Sequence, residues 1–218
     1  ENNRGSGMVS LSLKSGGICL WMLFTFYGEA LPASPFKVLS DTIYYDTVND
    51  VNSDGIEYQH QDELLKLLKE NTEVTKIILN SGGGMISPAE EMSALIIDAK
   101  LDTHVEFECA SACVTMFLGG QTRTLALGGK LGFHKSFWAA DNIEKYYNTG
   151  LEEGDWVSFF DFASWLYEDA QADVFKAFEY LLERGVRPAF AIETLKAGTD
   201  GMWYPRRKHL IDGGVLTQ

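Results

Sequence analysis

The pattern of hydrophobic and polar positions switches between two periods along this chain. "FKVLSDTIYYDTVND" has apolar residues at alternating positions, which places Ile43 and Tyr45 on one face of a predicted strand. Residues 54–74 follow with apolar positions at helical spacing, namely Leu64, Leu65, Leu67 and Leu68. A strand followed by an amphipathic helix is a building unit of a sheet that is covered by helices.

Predicted strands and helices continue to follow one another up to residue 134. It predicts a short buried strand at Lys76–Leu79 and then a helix with Ser87 as its N-cap and Pro88 at its first position. "DTHVEFEC" predicts another strand, "ASACVTMFLGG" a helix, and "QTRTLALGGKLGFH" two short strands. Strands that alternate with helices indicate an α/β fold with a mainly parallel sheet.

Residues 135–165 break this pattern. They are rich in aromatic residues and show no clear period, which indicates an insertion or a flap over a site. The aromatic residues would either line a substrate groove or form a small satellite core: Trp138, Tyr146, Tyr147 and Trp156. Beyond them the pattern predicts a long helix at Tyr167–Arg184 and a shorter helix from Pro188 to about Ala197.

The N-terminal residues 1–34 are set apart by their composition. The residues before Met8 resemble a remnant, and Lys14 then precedes an apolar run at Ile18–Tyr27 and a group of small residues, as in a secretory signal peptide. The run is too short for a membrane-spanning helix, which needs about 20 residues. An uncleaved membrane anchor and ordinary structure are the alternatives. We expect residues 35–218 to form one domain of an exported protein, periplasmic or membrane-anchored.

The charge of the chain limits its partners. The 218 residues are 45% hydrophobic and 22% charged, which are ordinary values for one globular domain. The formal net charge is -13 at pH 7. Such a charge repels phosphates and argues against a nucleic-acid partner.

The cysteines allow two interpretations. Cys19 belongs to the N-terminal segment, whereas Cys109 and Cys113 are four residues apart. On one helix they would share a face, and a disulfide would require that their side chains point towards each other. Two buried free thiols are the alternative. Because no cluster of His or Cys accompanies them, we expect no metal site.

Three features of the sequence can serve a nucleophilic reaction. The turn Asn80–Gly84 can offer backbone N–H groups to an oxyanion, although a tight turn alone explains its glycines as well. Ser111 lies where a strand meets a helix N-terminus, and is there a nucleophile or a simple N-cap. His134 ends an apolar strand 23 residues later and is the candidate base, with a buried structural histidine as the alternative.

A carboxylate that orients the imidazole would complete such a site. Asp200 follows the last predicted helix in "AGTDGMWY", where turn formation is its alternative role. Spacing leaves three competitors in or near the insertion: Asp155, Asp161 and Asp169. The other histidines are expected at the solvated surface: His60, His104 and His209.

Together these residues resemble the Clp protease proteolytic subunit family, within the ClpP/crotonase superfamily. "NSGGG" corresponds to the family's Asn-Ser-Pro-Gly-Gly turn with Gly82 at the proline position, and "CASAC" corresponds to its nucleophile segment. "GGQTRTLALGGKLGFH" carries Arg123 and His134, "GTDGMWY" carries Asp200, and "GGVLT" resembles the closing tail. The resemblance covers residues 38–134 well and 165–218 loosely. More narrowly, the chain looks like exported, ATPase-independent Clp-like proteins, which carry a Cys-x-Ser-Ala-Cys block followed by Gly-Phe-His.

The resemblance implies a ClpP/crotonase-like fold and a serine peptidase with a triad of Ser111, His134 and Asp200. It also implies a peptide or protein substrate, no cofactor and a homo-oligomer, with membrane contact only through an uncleaved N-terminal segment. Two alternatives are a non-catalytic binding or assembly module and a crotonase-like acyl-CoA enzyme. An export signal disfavours the acyl-CoA enzyme.

The resemblance further implies how the reaction centre would be built. The oxyanion hole would come from Gly84 (or Gly83) and from Ala112, the residue after the serine. In an exported protein, a disulfide between Cys109 and Cys113 would clamp the first turn of the nucleophile helix.

Overall fold

A mostly parallel sheet forms the centre of the molecule. The structure is a computed structural model that describes residues 34–49, 53–198 and 200–218. Its six described strands are β1 (Phe36–Leu39), β2 (Thr42–Asp46), β3 (Lys76–Ser81), β4 (Asp102–Ala110), β5 (Arg123–Leu125) and β6 (Lys130–Gly132). Their order is β1-β2-β3-β4-β5, and β6 pairs with β4 beyond the end of β5. The pair β1–β2 is antiparallel and the other pairs are parallel, which confirms the predicted fold class.

Helices flank this sheet and close its core. They are α1 (Tyr58–Glu70), α2 (Ile86–Asp98), α3 (Ala112–Leu118), α4 (Ala140–Glu153), α5 (Phe159–Glu183), α6 (Pro188–Thr194) and α7 (Arg207–Asp212). Strand residues Ile77 and Val105 are fully buried together with Met92 of α2 and Phe117 of α3. Each such side chain stabilises the fold by about 1.5–3 kcal/mol. The short helix α3 is buried along most of its length, so the corner that leads into it is held by the core.

The first predicted strand is in fact a hairpin. Residues 36–46 form two antiparallel strands, and Ser40 lies in the turn between them at φ 56°. The predicted cap at Ser87 is also wrong, because α2 begins at Ile86 with Met85 as its N-cap. Met85 has an extended backbone, and its N–H donates to the Ile56 carbonyl at 2.9 Å.

Residues 135–165 contain regular structure that the sequence pattern did not reveal. Helix α4 occupies most of this segment, and α5 begins at Phe159 rather than at Tyr167. Ser158 is the N-cap of α5, and its side chain accepts a hydrogen bond from the Asp161 N–H. The aromatic side chains pack on one another in a cluster around the buried Phe162: Tyr146, Tyr147, Trp156, Phe159 and Trp165.

The predicted signal peptide or membrane anchor falls on residues 1–34, and residues 1–33 of it lie outside the described residues. The predicted boundary at residue 34 therefore stays a prediction. Over the part of the chain that the structure describes, no helix is both long enough and apolar enough to cross a membrane.

Candidate active site

Ser111 occupies a sharp corner between β4 and α3. Its backbone has φ 54° and ψ −130°, a region that residues with a Cβ rarely adopt and that costs about 1–3 kcal/mol. The corner is held on both sides, since the Ser111 N–H donates to the Gly132 carbonyl and the Val114 N–H donates to the Ser111 carbonyl, each at 2.9 Å. The Ser111 side chain makes no capping hydrogen bond, so its hydroxyl is available for another partner.

That partner is His134. The parallel pairing of β4 with β6 places Ala110 beside Gly132. The segments that follow these two strands therefore leave the sheet side by side. Ser111 Oγ lies 2.7 Å from His134 Nε2, which is within hydrogen-bond distance. When Nε2 accepts the serine proton, Nδ1 must carry the other ring proton. Nδ1 is buried and has no hydrogen-bond partner among the described residues.

Asp200 lies on a loop that runs beside the His134 segment. Phe133 and Trp203 exchange two backbone hydrogen bonds of 2.9 Å, and the Lys135 N–H donates to the Ala197 carbonyl at 3.2 Å. The loop between these contacts carries Asp200, which has a polar or ionic contact of its own. The structure thus places this loop beside the His134 segment. A hydrogen bond between His134 Nδ1 and Asp200 is not formed.

The competing carboxylates lie on the helical segment that follows His134. Asp161 accepts a hydrogen bond from the Val157 N–H in the first turn of α5, Asp155 follows α4, and Asp169 lies within α5. Of the four sequence candidates, Asp200 is the one on a loop bonded to residues next to His134.

The glycine turn lies directly against the serine. Gly83 has φ 110°, and a Cβ at this position would lie 2.6 Å from the Ser111 Cβ and 2.9 Å from the Ala110 carbonyl oxygen. Ile56 fixes the turn, because its N–H donates to the Gly83 carbonyl at 2.8 Å. Within the described residues, the N–H groups of Gly84 and Ala112 have no hydrogen-bond partner, whereas the Gly83 N–H donates to Ser81 Oγ at 3.2 Å.

An open cleft of about 450 Å³ adjoins this turn. Small and polar residues dominate its lining, which consists of Thr47, Val48, Ser53, Asp54, Gly55, Gly82, Gly83 and Gly84. Because Gly83 touches Ser111, the cleft opens next to the nucleophile candidate. The sequence patterns did not identify Thr47 or Asp54 as members of this surface.

Gly83 gives the first testable prediction. Gly83→Ala introduces a methyl group within 2.6 Å of Ser111 at a positive φ, so we expect the free energy of unfolding to fall by about 2 kcal/mol. Gly82→Ala is the matched control, because no heavy atom lies within 4 Å of its added Cβ. Thermal denaturation of both variants measures the difference, and equal melting temperatures would contradict the described packing.

A disulfide between Cys109 and Cys113 brackets the serine corner. Cys109 lies in β4 and Cys113 in α3, as the predicted strand and helix placed them, so the bond joins a strand to a helix rather than two positions on one helix. Both residues are 0% exposed. Closing so short a loop stabilises a fold by about 2 kcal/mol, which is of the same size as the strain at Ser111.

The histidine predictions were partly wrong. His60 is 3% exposed instead of solvated, and the Tyr45 hydroxyl bonds to its Nδ1 at 2.9 Å. His104 lies in β4 rather than in a turn, and burial lowers its pKa. His209 remains exposed and pairs with Glu193. None of the contacts described for His60, His104 and His209 involves Ser111.

Arg123 helps to hold the C-terminal end of α3, the helix that begins directly after Ser111. It is 5% exposed and donates to the carbonyl oxygens of Val215, Gly214 and Arg184, each at 2.9 Å. Burial lowers its pKa, and the nearby Arg184 lowers it further. The Arg184 guanidinium in turn donates to the Leu118 carbonyl at the C-terminal end of α3.

Solved structures share this fold. A mutant of ClpP1 from Listeria monocytogenes matches with a TM-score of 0.50 and 15% identity, covering 74% of this chain and 84% of that chain. A peptidase from Plasmodium falciparum matches with a TM-score of 0.53 and 10% identity, covering 81% and 93%. A putative enoyl-CoA hydratase from Streptomyces coelicolor A3(2) matches with a TM-score of 0.48 and 13% identity, covering 89% and 70%. No family model and no curated protein sequence matches the chain. The matches to ClpP1 and to the Plasmodium falciparum peptidase show that the chain has a ClpP-like fold.

Proposed function

We propose that this protein is a serine hydrolase of the peptidase type, with Ser111 as nucleophile and His134 as general base. The observation that carries this proposal is the 2.7 Å contact between Ser111 Oγ and His134 Nε2 at a strained corner. His134 takes the hydroxyl proton as Oγ attacks an amide carbonyl, and then gives it to the leaving amine. Water hydrolyses the acyl-enzyme with His134 again as base.

Backbone N–H groups would stabilise the oxyanion of this reaction. Those of Ala112 and Gly84 have no partner in the described part of the chain; Ala112 directly follows Ser111, and Gly84 directly follows Gly83, which lies against Ser111. The Gly83 N–H can join them if it leaves Ser81 Oγ. Each such donor typically lowers the barrier by about 3 kcal/mol.

Asp200 is the proposed third member of the triad. Phe133 pairs with Trp203 in antiparallel fashion, so His134 and Met202 are cross-strand neighbours. Asp200 lies two residues before Met202, on the loop that this pairing holds beside the His134 segment. A rearrangement of the loop would let its carboxylate accept a hydrogen bond from the Nδ1–H group of His134.

The fold and the cleft support a proposal for the substrate class. We assign peptides or proteins as substrates, because an amide carbonyl over Ser111 would extend into the cleft beside Gly83. The proposed reaction needs no cofactor and no ATPase within this chain. Export to an oxidising compartment, such as the periplasm, is supported by the disulfide, since such bonds persist there.

A fluorophosphonate probe tests the proposed function. We expect the folded protein to gain one phosphonyl group, and peptide mass spectrometry should place it on Ser111. An adduct on another serine would overturn the nucleophile assignment.

A binding or assembly module on the same fold is the second candidate. The observation that favours it is that His134 Nδ1 has no hydrogen-bond partner among the described residues. A triad that lacks the hydrogen bond between its histidine and its carboxylate is incomplete. A folded protein that gains no phosphonyl group at all would support this candidate.

We also propose that the protein self-associates through α5. Four large side chains on this helix are strongly exposed at spacings of seven and eight residues: Phe160 82%, Tyr167 72%, Phe175 65% and Leu182 46%. A stripe with this period is the pattern with which helices of two chains pack together. A second copy of the chain offers the same stripe and can cover it.

The stripe gives a testable prediction. Phe175→Glu is expected to shift the protein towards monomer by at least about tenfold in the dissociation constant, since a buried charge at a helix seam costs more than about 1.4 kcal/mol. Ala177→Glu adds the same charge two positions away, where a helix presents a different face. Light scattering after size-exclusion chromatography measures the mass. A monomeric wild type would contradict the proposal.

A further inference from the structure

The Cys109–Cys113 disulfide spans the corner that holds Ser111 in its unusual backbone conformation. Cys109 is held in the sheet, where it pairs with Ser81 on one side and Leu131 on the other. Cys113 lies in the first turn of α3. The covalent link therefore fixes the start of the helix to the strand across three residues, and Ser111 is the middle one.

Besides the packing of α3 in the core and the Ser111–His134 contact, two backbone hydrogen bonds restrain this corner. The Ser111 N–H bonds to the Gly132 carbonyl and the Val114 N–H bonds to the Ser111 carbonyl, while the serine side chain adds no cap. The backbone strain at Ser111 works against these two bonds. Without the disulfide, an ordinary helix start with Ser111 at negative φ becomes accessible, and Oγ would then move away from His134.

We propose that closure of this disulfide makes Ser111 competent, so that the dithiol chain has the same fold with an inactive nucleophile. The proposal rests on the proposed function, because it concerns the same serine. Cys109 and Cys113 are positioning residues in this account. Oxidation then acts as the activating step after synthesis in a reducing compartment.

The chemistry of closure is ordinary thiol–disulfide exchange with a small-molecule disulfide of the glutathione class. The thiolate of one cysteine attacks that disulfide, forms a mixed disulfide and releases one small thiol. The thiolate of the other cysteine then attacks the protein-bound sulfur and releases the second small thiol. The two cysteines lose two electrons and two protons, and the small-molecule disulfide gains them.

Burial determines when this exchange can happen. Both cysteines are 0% exposed, so no thiol reaches either sulfur while the corner is closed. The bond must form during folding or during a local opening, and the closed bond should resist reductants in the native protein. A disulfide that forms during folding is thereby preserved in the mature site.

The experiment compares two forms of the full chain in a Cys19→Ser background, where one disulfide alone can form. One form is refolded with oxidised glutathione and the other with a phosphine reductant, and alkylation followed by mass spectrometry counts the thiols. Circular dichroism checks the fold, fluorophosphonate labelling measures the reactivity of Ser111, and hydrogen exchange follows the backbone of residues 108–118.

The dithiol form is expected to fold, to label Ser111 at least about tenfold more slowly, and to exchange faster at residues 108–118, with all three reversed by oxidised glutathione. The variant Cys109→Ala/Cys113→Ala should behave as the dithiol form and ignore the oxidant. Equal labelling and equal exchange in the two folded forms would overturn the proposal, and so would a dithiol form that does not fold. If the oxidised protein is never labelled, the proposed function fails, and hydrogen exchange still decides whether the disulfide holds the corner.

Discussion

Replacing His134 by alanine is expected to slow the phosphonylation of Ser111 by about a thousandfold. A positioned general base contributes about 10²–10⁴-fold to such a reaction, and His134 Nε2 is the base within 2.7 Å of Ser111 Oγ. Ser111→Ala should abolish the adduct altogether. Because the two side chains act as a unit, the double variant should be no slower in peptide hydrolysis than either single variant.

Matched controls keep this prediction specific. Ser136→Ala removes an exposed serine from the neighbouring loop, and His104→Ala removes a half-buried histidine that bonds to Thr124. Neither variant should change the labelling rate by more than about twofold, since neither side chain contacts the corner. Asp200→Asn tests the proposed third member of the triad. A Ser111 labelling rate equal to that of wild type would remove Asp200 from the triad. A His134→Ala protein that labels at the wild-type rate would refute the general-base assignment.

Replacing Arg123 by methionine is expected to lower the free energy of unfolding by about 3 kcal/mol or more. The guanidinium donates three hydrogen bonds of 2.9 Å to buried or partly buried carbonyl groups, and methionine donates none. Each buried acceptor left without a partner costs about 1–3 kcal/mol, which outweighs the relief from burying a charge next to Arg184. Urea denaturation followed by circular dichroism measures this change.

Arg207→Met is the control for this prediction. Arg207 is exposed and donates one hydrogen bond, to the Leu125 carbonyl, so we expect a loss of no more than about 1 kcal/mol. Equal losses in the two variants would mean that the buried bonds of Arg123 stabilise no more than one surface bond. A large loss for Arg123 alone would assign it a structural role at the far end of α3.

The parts of the site that lie on regular elements could be predicted from the sequence. Ser111 and His134 follow strands with clear apolar patterns, and parallel strands bring their ends to the same edge of a sheet. The contact between the two side chains follows from that arrangement. The 38–134 region has the strands and helices that the pattern indicated, apart from the added β1 and the changed start of α2.

What could not be predicted depends on contacts between distant parts of the chain. In α4, apolar residues recur at helical spacing at Ile143, Tyr146 and Tyr147, but Gly150 interrupts the repeat where Trp156 packs against it. His60 lies at a polar helix start, and its burial depends on Tyr45 of a neighbouring strand. The place of Asp200 depends on the pairing of Phe133 with Trp203, 70 residues apart in the sequence.

The contacts of Arg123 also determine how the protein responds to proteolysis near its C-terminal residues. Its backbone N–H donates to Thr217 Oγ1 at 2.7 Å and its carbonyl accepts from the Thr217 N–H at 3.1 Å, so residues 215–217 lie along the outer side of β5. These residues cover a strand edge that would otherwise be open to a strand from another molecule. A proteolytic cut at Gly213–Gly214 would uncover that edge and leave the Arg123 guanidinium without two of its acceptors. Aggregation of the clipped protein, with every residue of the candidate site still present, is the expected result.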